Sequence, residues 1–541
     1  MQAAVKEKGM RIFAEWLHYY NNLDVAPGLE ALEKMKSFYT ERGIDILKDT
    51  VSLPGVSLHY LLRGAIESGA DLYSPGREAY KMLKRAVVGG PSPVFTRRHE
   101  AGVTRIRSPQ FEKPRLCKKI LGFNATALYL STMLREMSCR KERVKYYTDD
   151  RQEEAAKVLI GRLKAGEWFS FAEVDMEIPK RLWPKFEEMY PFFYNERVPA
   201  EAVPEHMKEY LAKTGRKRED GKKLMEVLSA ERMLVYAPLL RWYVNHGAVV
   251  TKVSRTIDYE PGKIFTWFVE QVTETRRTGD VDRSKALLAE VFKLLGNSAY
   301  GKLIEALERQ TNVIYTKDEK VVDRALRSAY FEDLDEIGEA YELESRKPQI
   351  TIRRPFEIGI AVYPPAKLRM LEFYHDFLDK YVKRRDFELI QTDTDSNYMA
   401  ISGERLEDVV RPELKREFEA EKNQWLSWDK WSGRTPGLFK LECEGSRMIA
   451  LCSKCYYVDE GEGEKKKFST KGMSKKQNEI TWQRFEEALE GSRDMATNRG
   501  FRMRDGQMVT YEQQKVGLSA YYDKRWVLPD GIHTEPSEYH I

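Results

Sequence analysis

The sequence has few cysteines and no long apolar run. Five cysteines in 541 residues are too few for a disulfide framework and favour a reducing compartment. No apolar stretch approaches the roughly 20 residues that span a bilayer, and the first residues mix Lys, Glu and Arg in place of a signal-peptide core. We therefore expect an intracellular protein without a membrane partner, with the nucleus as one candidate compartment if its gene is eukaryotic.

Neither sign of charge dominates. The chain has 90 basic and 85 acidic residues and a net charge of +5, which permits nucleic-acid binding without requiring it. Any one basic cluster taken alone is explained as well by a solvated face. These clusters are Arg97–Arg98, Arg276–Arg277, Lys383–Arg385, Lys465–Lys467 and Lys471–Lys476.

Strand-like and helical patterns alternate along the chain, which predicts an α/β or α+β fold in several lobes. The predicted strands are Lys118–Phe123, Ala248–Ile257, Glu388–Gln391 with Tyr398–Ile401, and Arg447–Val458. The predicted helices are Leu29–Arg42, Ser284–Leu294 and Pro365–Arg384, the last with Pro365 near its start. The Gly-, Glu- and Lys-rich run from Asp459 to Lys467 predicts a loop or hairpin tip.

The strongest chemical signal is the run from Asp393 to Ser396, Asp-Thr-Asp-Ser, between two apolar runs. Carboxylates at this spacing beside a hairpin turn can meet a hard divalent cation, as two-metal phosphoryl transfer requires. An isolated Asp-x-Asp is explained as simply by an Asp-rich turn. Here the Asp-Thr-Asp-Ser run is accompanied by two further signals, which favour the functional interpretation.

A second signal is Lys-Leu-Leu-Gly-Asn-Ser-Ala-Tyr-Gly from Lys293 to Gly301. On a helix, Lys293, Asn297 and Tyr300 share one face, which offers a cation, an amide and a flat ring. Such a face is poor core material, so a functional role is favoured over a merely capped amphipathic helix. Gly301 is predicted to end the helix as a C-cap residue.

The third signal is an apolar strand that runs into a turn at Asn124 and continues to Leu128-Tyr129. In this order the three segments resemble motifs A, B and C of the family B DNA polymerases. The residues that flank these motifs resemble those of the protein-primed viral and Polinton (Maverick) transposon branch, and the resemblance covers nearly the whole chain. Motif B and motif C match in full, and Lys454-Cys-Tyr456 resembles the family's Lys-x-Tyr motif.

The resemblance implies a right-hand polymerase with palm, fingers and thumb. Asp393 and Asp395 would be catalytic and hold Mg²⁺, with Mn²⁺ as an alternative, and Tyr129 would exclude a 2′-hydroxyl. The residues it assigns to the incoming nucleotide are Tyr129, Lys285, Lys293, Asn297 and Tyr300. Those it assigns to DNA are Gly89, Gly90, Ser298, Gly301, Lys454, Tyr456, Lys467 and Lys471. The implied partners are primer-template DNA and dNTPs, and the implied oligomeric state is a monomer. A terminal protein as primer is a further partner that the resemblance leaves open.

The same resemblance implies a division of the chain. The expected segments are an exonuclease remnant (1–85), a first palm part with motif A (86–140), an insertion like the first terminal-protein region (141–242), palm strands (243–264), fingers (265–310), an insertion like the second terminal-protein region (311–356), palm with motif C and Lys-x-Tyr (357–458), and thumb (459–541).

The sequence departs from the family pattern at the centre of the chemistry. Asn124 stands where the family has the motif A aspartate, so one negative charge is missing where two cations would have to coexist. We therefore expect this chain to polymerise very poorly or not at all. The alternative function is a catalytically silent DNA-binding remnant of such a polymerase.

Two further departures concern the front of the chain. Tyr20 and Asp24 match the third exonuclease motif, but the first two motifs are not present, so the chain is expected to be truncated at its N-terminus and to lack 3′→5′ exonuclease activity. Asp24 could equally be an ordinary helix-initiating residue. Gly89-Gly90 occupies the place of a Tyr-x-Gly-Gly linker without its tyrosine, and a plain interdomain turn explains it equally.

The pair Cys452 and Cys455 has the spacing of half a zinc site. A second pair of ligands is needed, and Cys443 has no partner nearby in sequence, so zinc is not favoured.

Overall fold

A computed structural model describes residues 2–50, 52–107, 113–167, 170–215, 217–218, 221–461, 465–504 and 507–540. The chain forms two units, each assembled from segments that are distant in sequence. The first comprises Met1–Ala70 and Glu270–Leu303, and the second comprises Asp71–Val269 and Ile304–Ile541. Of the helices in the described ranges, none is long and apolar enough to cross a bilayer.

Helices and strands are mixed throughout. The helices are α1 (Gln2–Glu7), α2 (Phe13–Thr40), α3 (Leu53–Glu67), α4 (Arg77–Arg85), α5 (Leu128–Thr132), α6 (Gln152–Ala165), α7 (Glu205–Thr214), α8 (Ala237–Asn245), α9 (Thr266–Val281), α10 (Ala286–Leu303), α11 (Glu319–Leu326), α12 (Phe356–Glu372), α13 (Asp379–Tyr381), α14 (Lys415–Glu421) and α15 (Trp482–Leu489). The strands are β1 (Arg98–Glu100), β2 (Lys119–Ala125), β3 (Met137–Tyr146), β4 (Ser170–Glu177), β5 (Phe192–Arg197), β6 (Lys222–Val227), β7 (Ser229–Tyr236), β8 (Val249–Gly262), β9 (Thr311–Thr316), β10 (Phe331–Ile337), β11 (Ala340–Arg346), β12 (Phe387–Asp393), β13 (Ser396–Ile401), β14 (Phe439–Gly445), β15 (Arg447–Cys452), β16 (Cys455–Asp459), β17 (Lys466–Ser469), β18 (Met495–Arg504), β19 (Gln507–Val516), β20 (Trp526–Val527) and β21 (Thr534–Glu535).

The first unit is helical. Helix α3 packs along α10, and the rings of Phe38 and Phe292 meet edge to face with centroids 6.0 Å apart. The Tyr60 hydroxyl donates to Gln271 Oε1 at 2.6 Å. Helix α2 is the exception to this packing, because Tyr39 is its one buried side chain among its 28 residues.

The second unit is organised around an antiparallel sheet of strand order β12-β13-β2-β14. The hairpin β12–β13 pairs with β2 so that Ser396 lies opposite Asn124, and β14 pairs with the other edge of β2. All seven residues of β12 except Asp393 are buried, as expected of a strand covered on both faces. The one partly exposed residue of that strand, Asp393, therefore lies at the turn.

Aromatic side chains hold this sheet to the helix behind it. The ring of Phe373, in the π-helical segment Phe373–Leu378 that follows α12, stacks on Phe439 at 3.7 Å and meets Phe123 at 5.8 Å. Each such side chain contributes about 1.5–3 kcal/mol when fully buried. The strands that carry Asn124 and the Asp393–Ser396 turn are thus fixed on a rigid base.

The remaining strands form separate sheets. Their orders are β1-β15-β16-β17, β3-β8-β4-β7, β10-β11-β9, β5-β6, β18-β19 and β20-β21. The sheet β3-β8-β4-β7 is covered by α6 and α8, and β10-β11-β9 carries α11. These two small layers include parts of the segments predicted as insertions, 141–242 and 311–356.

The predicted strands are confirmed as β2, β8, β12 with β13, and β15 with β16, the last broken by a turn at Ser453-Lys454. Several predicted boundaries are wrong, among them the helix start at Leu29, because α2 begins at Phe13. The helix predicted to begin near Pro365 begins at Phe356, with Pro364 and Pro365 inside it. Helix α10 continues to Leu303, so Gly301 is an interior residue and not a C-cap. The loop predicted after Asp459 is shorter than expected because β17 begins at Lys466, and residues 462–464 lie outside the described ranges.

Candidate nucleotidyl-transfer site

The turn between β12 and β13 presents two carboxylates. Thr394 adopts a left-handed backbone conformation with φ of 60°, and the Asp395 amide donates to the Asp393 carbonyl at 2.7 Å. A non-glycine residue in this region is strained, and such strain concentrates at functional sites. The tight turn brings Asp393 and Asp395 to the same end of the sheet.

Asn124 lies directly beside these carboxylates. Its Nδ2 donates to Ser396 Oγ at 2.9 Å, and Ser396 Oγ donates to Asp395 Oδ1 at 3.4 Å. Burial raises the pKa of Asp395, and Asp393 raises it further, while hydrogen bonds from Asn124 and Ser396 oppose the shift. The structure therefore brings together the three residues that the sequence selected for catalysis.

Tyr129 follows on the far side of the motif A turn, where Ala127 has φ of 44°. Its ring lies 5.3 Å from that of Tyr363. Burial raises the pKa of Tyr129 to about 12, with further contributions from Tyr363, Asp395 and Asp393. Tyr129 thus lies within electrostatic range of both carboxylates, and its role at a nucleotide sugar stays a prediction.

Gly90 packs directly on the carboxylate turn. A Cβ at Gly90 would lie 2.4 Å from Thr394 Cγ2, and the Thr394 amide donates to the Pro91 carbonyl at 2.8 Å. Gly89 has no such neighbour. The Gly-Gly segment therefore packs on the Asp393–Ser396 turn through one glycine, a contact that no sequence pattern indicated.

Lys454 reaches the same turn from a third segment. It lies at the β15–β16 turn with φ of 62°, and its Nζ is 2.5 Å from Asp393 Oδ1. Tyr456, predicted to bind DNA, is instead packed in the core at 8% exposure, with its hydroxyl 3.1 Å from that of Tyr398. A DNA contact by Tyr456 stays a prediction, and what the structure shows is a packing role.

The two other predicted DNA-binding lysines lie near the surface of the β16–β17 region. Lys467 Nζ lies 3.7 Å from Glu442 Oε2 and 5.6 Å from the ring centre of Tyr398. Lys471 is exposed just after β17. Both are accessible to a phosphate backbone.

The motif B residues lie on α10, in the first unit. Phe292, Leu295 and Ala299 form its buried face. The other face carries the predicted nucleotide ligands: Asn297 is exposed, Lys293 and Tyr300 are partly exposed, and Lys293 Nζ is 3.1 Å from Glu290 Oε2. The predicted shared face is thus present.

The other residues predicted for this region flank that face. Ser298 and Gly301 are partly exposed on α10. Lys285 precedes the helix, exposed, with its Nζ 4.0 Å from Asp282 Oδ2.

Tyr20 and Asp24 lie one turn apart on α2 and are both exposed. Asp24 is well inside that helix, so the alternative that it initiates a helix is wrong. Their assignment to an exonuclease motif stays a prediction.

A cavity of about 670 Å³ adjoins the site, and its lining includes Tyr129, Gly90 and Thr394. Lys367, a half-buried residue that was not among the predicted site residues, also lines this cavity. Lys367 Nζ donates to the Tyr243 hydroxyl at 2.9 Å and lies 4.1 Å from the ring centre of Phe193. Burial lowers its pKa well below the usual range. A lysine within the apolar run of α12 was the signal that could have revealed it.

Asp393 and Asp395 are the donors that a divalent cation would use here. Within the described ranges, no group of three or more His, Cys, Asp and Glu side chains is placed to hold a metal ion. Mg²⁺ is commonly held by one or two protein carboxylates together with substrate phosphates. The donor set therefore fits one such ion beside a nucleotide. It lacks the charge for a second, because Asn124 is neutral and Lys454 already neutralises Asp393.

The fold and this arrangement define a multi-subdomain polymerase fold. The particular protein it resembles is phi29 DNA polymerase. The ternary complex of that enzyme with primer-template DNA and incoming nucleotide matches with a TM-score of 0.57 and 14% identity, over 94% of this chain and 73% of that chain. The binary complex with primer-template DNA matches with a TM-score of 0.50 and 13% identity, over 88% and 69%.

At this identity the likeness establishes the fold, and it confirms the predicted mixed α/β polymerase architecture. No protein-family model matches the sequence, and no curated protein matches it.

Proposed function

We propose that this chain is a DNA-directed DNA polymerase module of the protein-primed family B type. The observation that carries the proposal is the meeting of Asn124, Asp393 and Asp395 at one end of a sheet. The same elements belong to a fold shared with a polymerase whose structure includes primer-template DNA and incoming nucleotide. The sequence motifs and the fold thus support one function independently.

The proposed reaction joins a dNTP to a primer. The primer 3′-hydroxyl attacks the α-phosphorus, a new P–O bond forms, and pyrophosphate leaves. Tyr129 would pack under the sugar, and Lys293 and Asn297 would bind the triphosphate and base. Lys454 would hold the primer strand. A Mg²⁺ or Mn²⁺ ion at Asp393 and Asp395 would supply charge neutralisation at the phosphates.

We further propose that the ancestral role was replication of a virus or mobile element, with a terminal protein as an alternative primer. The missing charge at Asn124 limits the present activity. An amide offers one neutral oxygen, and here its nitrogen is already directed at Ser396. Charge stabilisation of developing anions is the main catalytic contribution in phosphoryl transfer, so its loss is costly.

The test is primer extension by this chain and by its Asn124→Asp variant, with Mg²⁺ and separately with Mn²⁺. We expect the variant to extend primers at least about 100-fold faster, in line with the loss of a single catalytic charge contact. Asn124→Asp combined with Asp395→Ala is the control and is expected to be inactive. Equal extension by the chain and its variant would show that another ligand completes the site.

A second candidate function is DNA binding without catalysis. The observation that favours it is that Lys454 already neutralises Asp393 while Asn124 brings no charge. Binding through Lys454, Lys467 and Lys471 would be tolerant of sequence and weaken steeply with salt. This candidate predicts Mg²⁺-independent affinity for primer-template DNA in the unmodified chain. Extension by that chain that Asp395→Ala abolishes would contradict it.

A further inference from the structure

Two cysteines face each other across the hairpin that carries Lys454. Cys452 ends β15, Cys455 begins β16, and the two are direct partners in the strand register. Directly opposed residues of an antiparallel pair have Cα atoms about 4.5–5.5 Å apart. That separation lies within the roughly 4.4–6.8 Å that a disulfide spans. The backbone therefore places these two thiols where one bond can join them.

The two thiols differ in access and surroundings. Cys452 is partly exposed, whereas Cys455 is 4% exposed. Burial lowers the pKa of Arg97 to about 10 and also lowers the pKa of Lys524, and Cys452 opposes both shifts. The sulfur of Cys452 thus lies within electrostatic range of Arg97 and Lys524. The more accessible of the two thiols is the one that a disulfide oxidant meets first, and its thiolate is the nucleophile in disulfide exchange.

We propose that Cys452 and Cys455 form a redox-active dithiol whose oxidation acts on the catalytic turn. The oxidant is a small-molecule disulfide such as glutathione disulfide. Cys452 sulfur attacks it, forming a mixed disulfide and releasing one thiol. Cys455 sulfur then attacks the Cys452 sulfur and releases the second thiol. In sum, two protein thiols lose two hydrogens to form one disulfide, and the oxidant is reduced to two thiols.

The coupling runs through the two residues between the cysteines. Ser453 Oγ donates to the Ser92 carbonyl at 2.6 Å, and Lys454 holds Asp393 at 2.5 Å. A disulfide draws Cβ atoms to about 3.8 Å, closer than the roughly 4.5–5.5 Å of an opposed cross-strand pair. Closing the bond therefore shortens the distance between the two ends of the turn. The backbone of Lys454, which already has a left-handed φ of 62°, must adjust to that change. Lys454 is then expected to leave Asp393.

The first test follows the covalent chemistry. The chain is treated with glutathione disulfide, quenched by alkylation in denaturant, and mapped by mass spectrometry. We expect two of the five thiols to escape alkylation and to appear as a Cys452–Cys455 disulfide without a glutathione adduct. Cys455→Ser should instead retain a glutathione adduct on Cys452. Cys443→Ser, which removes another partly exposed thiol, is the matched control and should behave like the unmodified chain.

A lasting glutathione adduct on Cys452 in the unmodified chain would overturn the proposal, and so would unreacted thiols at both positions. These readouts do not depend on polymerase or DNA-binding activity. They separate the redox chemistry from the proposed function.

The second test concerns the coupling, and it rests on the proposed function. Oxidation is expected to move Lys454 out of the position from which it would contact the primer strand. We therefore expect oxidation to weaken primer-template binding about three- to ten-fold, which corresponds to the loss of one charge-assisted phosphate contact. In Lys454→Ala, oxidation should have no further effect. An equal loss in Lys454→Ala would overturn the coupling. If neither oxidised nor reduced chain binds DNA, the proposed function fails while the disulfide chemistry is still decided by mass.

Discussion

Asn124 and Lys454 reduce the negative charge of the same small site by different means. Asn124 contributes a neutral amide, and Lys454 places an ammonium on Asp393. Of the two carboxylates, Asp395 has no ion pair within the described part of the chain, and burial raises its pKa. The site is therefore far closer to neutral than a centre that must hold two divalent ions.

Gly90 provides the sharpest prediction at the residue scale. Thr394 Cβ would lie 2.9 Å from an alanine Cβ at position 90, so rotating the Thr394 side chain cannot relieve the clash. We expect Gly90→Ala to lower the free energy of unfolding by about 1–3 kcal/mol. Urea denaturation measures this loss.

Gly89→Ala is the matched control, because its new Cβ would meet nothing within 4 Å. If both alanines cost the same, backbone freedom of the loop and not contact with the catalytic turn governs this segment.

Much of the site could be predicted at the residue scale, and the reason is local. Asp393, Asp395 and Asn124 stand in short patterns that can be recognised in the local sequence, and the structure places them together. The contacts of Gly90 with Thr394 and of Lys454 with Asp393 join segments far apart in the chain, and neither pair leaves a local pattern. Lys367 was missed for the same reason, since only the assembled cavity reveals its burial.

At the scale of single elements, the central strands were the most predictable. The short segments of β2 and β12 are rich in apolar residues and are bounded by turn signals, which is typical of buried strands. Helix ends were the least predictable. Pro365 predicts a helix start, but the helix begins at Phe356. Two prolines are accommodated inside α12, where the helix packs in the core.

Gly301 yields a prediction for its helix. It is an interior residue of α10 without a positive φ, and a Cβ there would meet nothing within 4 Å. Glycine costs a helix interior about 0.5–1 kcal/mol relative to alanine, so Gly301→Ala should stabilise the protein by that amount. Urea denaturation monitored by circular dichroism measures it.

A loss of stability in Gly301→Ala would show that the helix ends at this glycine, as the sequence had indicated. Gly296→Ala is a useful comparison, because Gly296 is a buried residue of the same helix and is not expected to gain.

At the scale of the whole molecule, the sequence predicted a multi-lobed mixed fold but not how segments are grouped. The structure places Met1–Ala70 with Glu270–Leu303 in one unit. No composition shift marks these boundaries, and α9 crosses one of them. The grouping depends on packing of α3 against α10, which has no counterpart in local sequence.

The pH dependence of stability follows from a buried pair in the second unit. His99 Nε2 lies 3.2 Å from Glu388 Oε2. Burial alone would lower the pKa of His99, but Glu388 and Cys117 raise it to about 9. The pKa of His99 is thus higher in the folded protein than the value near 6.5 of the unfolded chain. The contribution of protonated His99 to the free energy of unfolding is therefore complete below about pH 6.5 and is lost as pH rises through about 9.

We therefore expect the free energy of unfolding to fall by on the order of 2–3 kcal/mol between pH 6.5 and 9.5. Urea denaturation at several pH values measures the slope. His99→Gln should be less stable at pH 6.5 and lack this slope. An identical pH profile in the variant would assign the loss to other groups.

The pairing of Asn124 with Ser396 has a consequence for how the protein is made. The two residues are 272 positions apart, so a ribosome adding 5–20 residues per second finishes β2 about 14–54 s before its partner hairpin exists. Both edges of β2 lack their partner strands during this interval, because β14 is synthesised even later than the hairpin. During that interval an apolar strand with unsatisfied backbone groups is open to misfolding and aggregation. Its protection on the nascent chain falls to chaperones rather than to the fold itself.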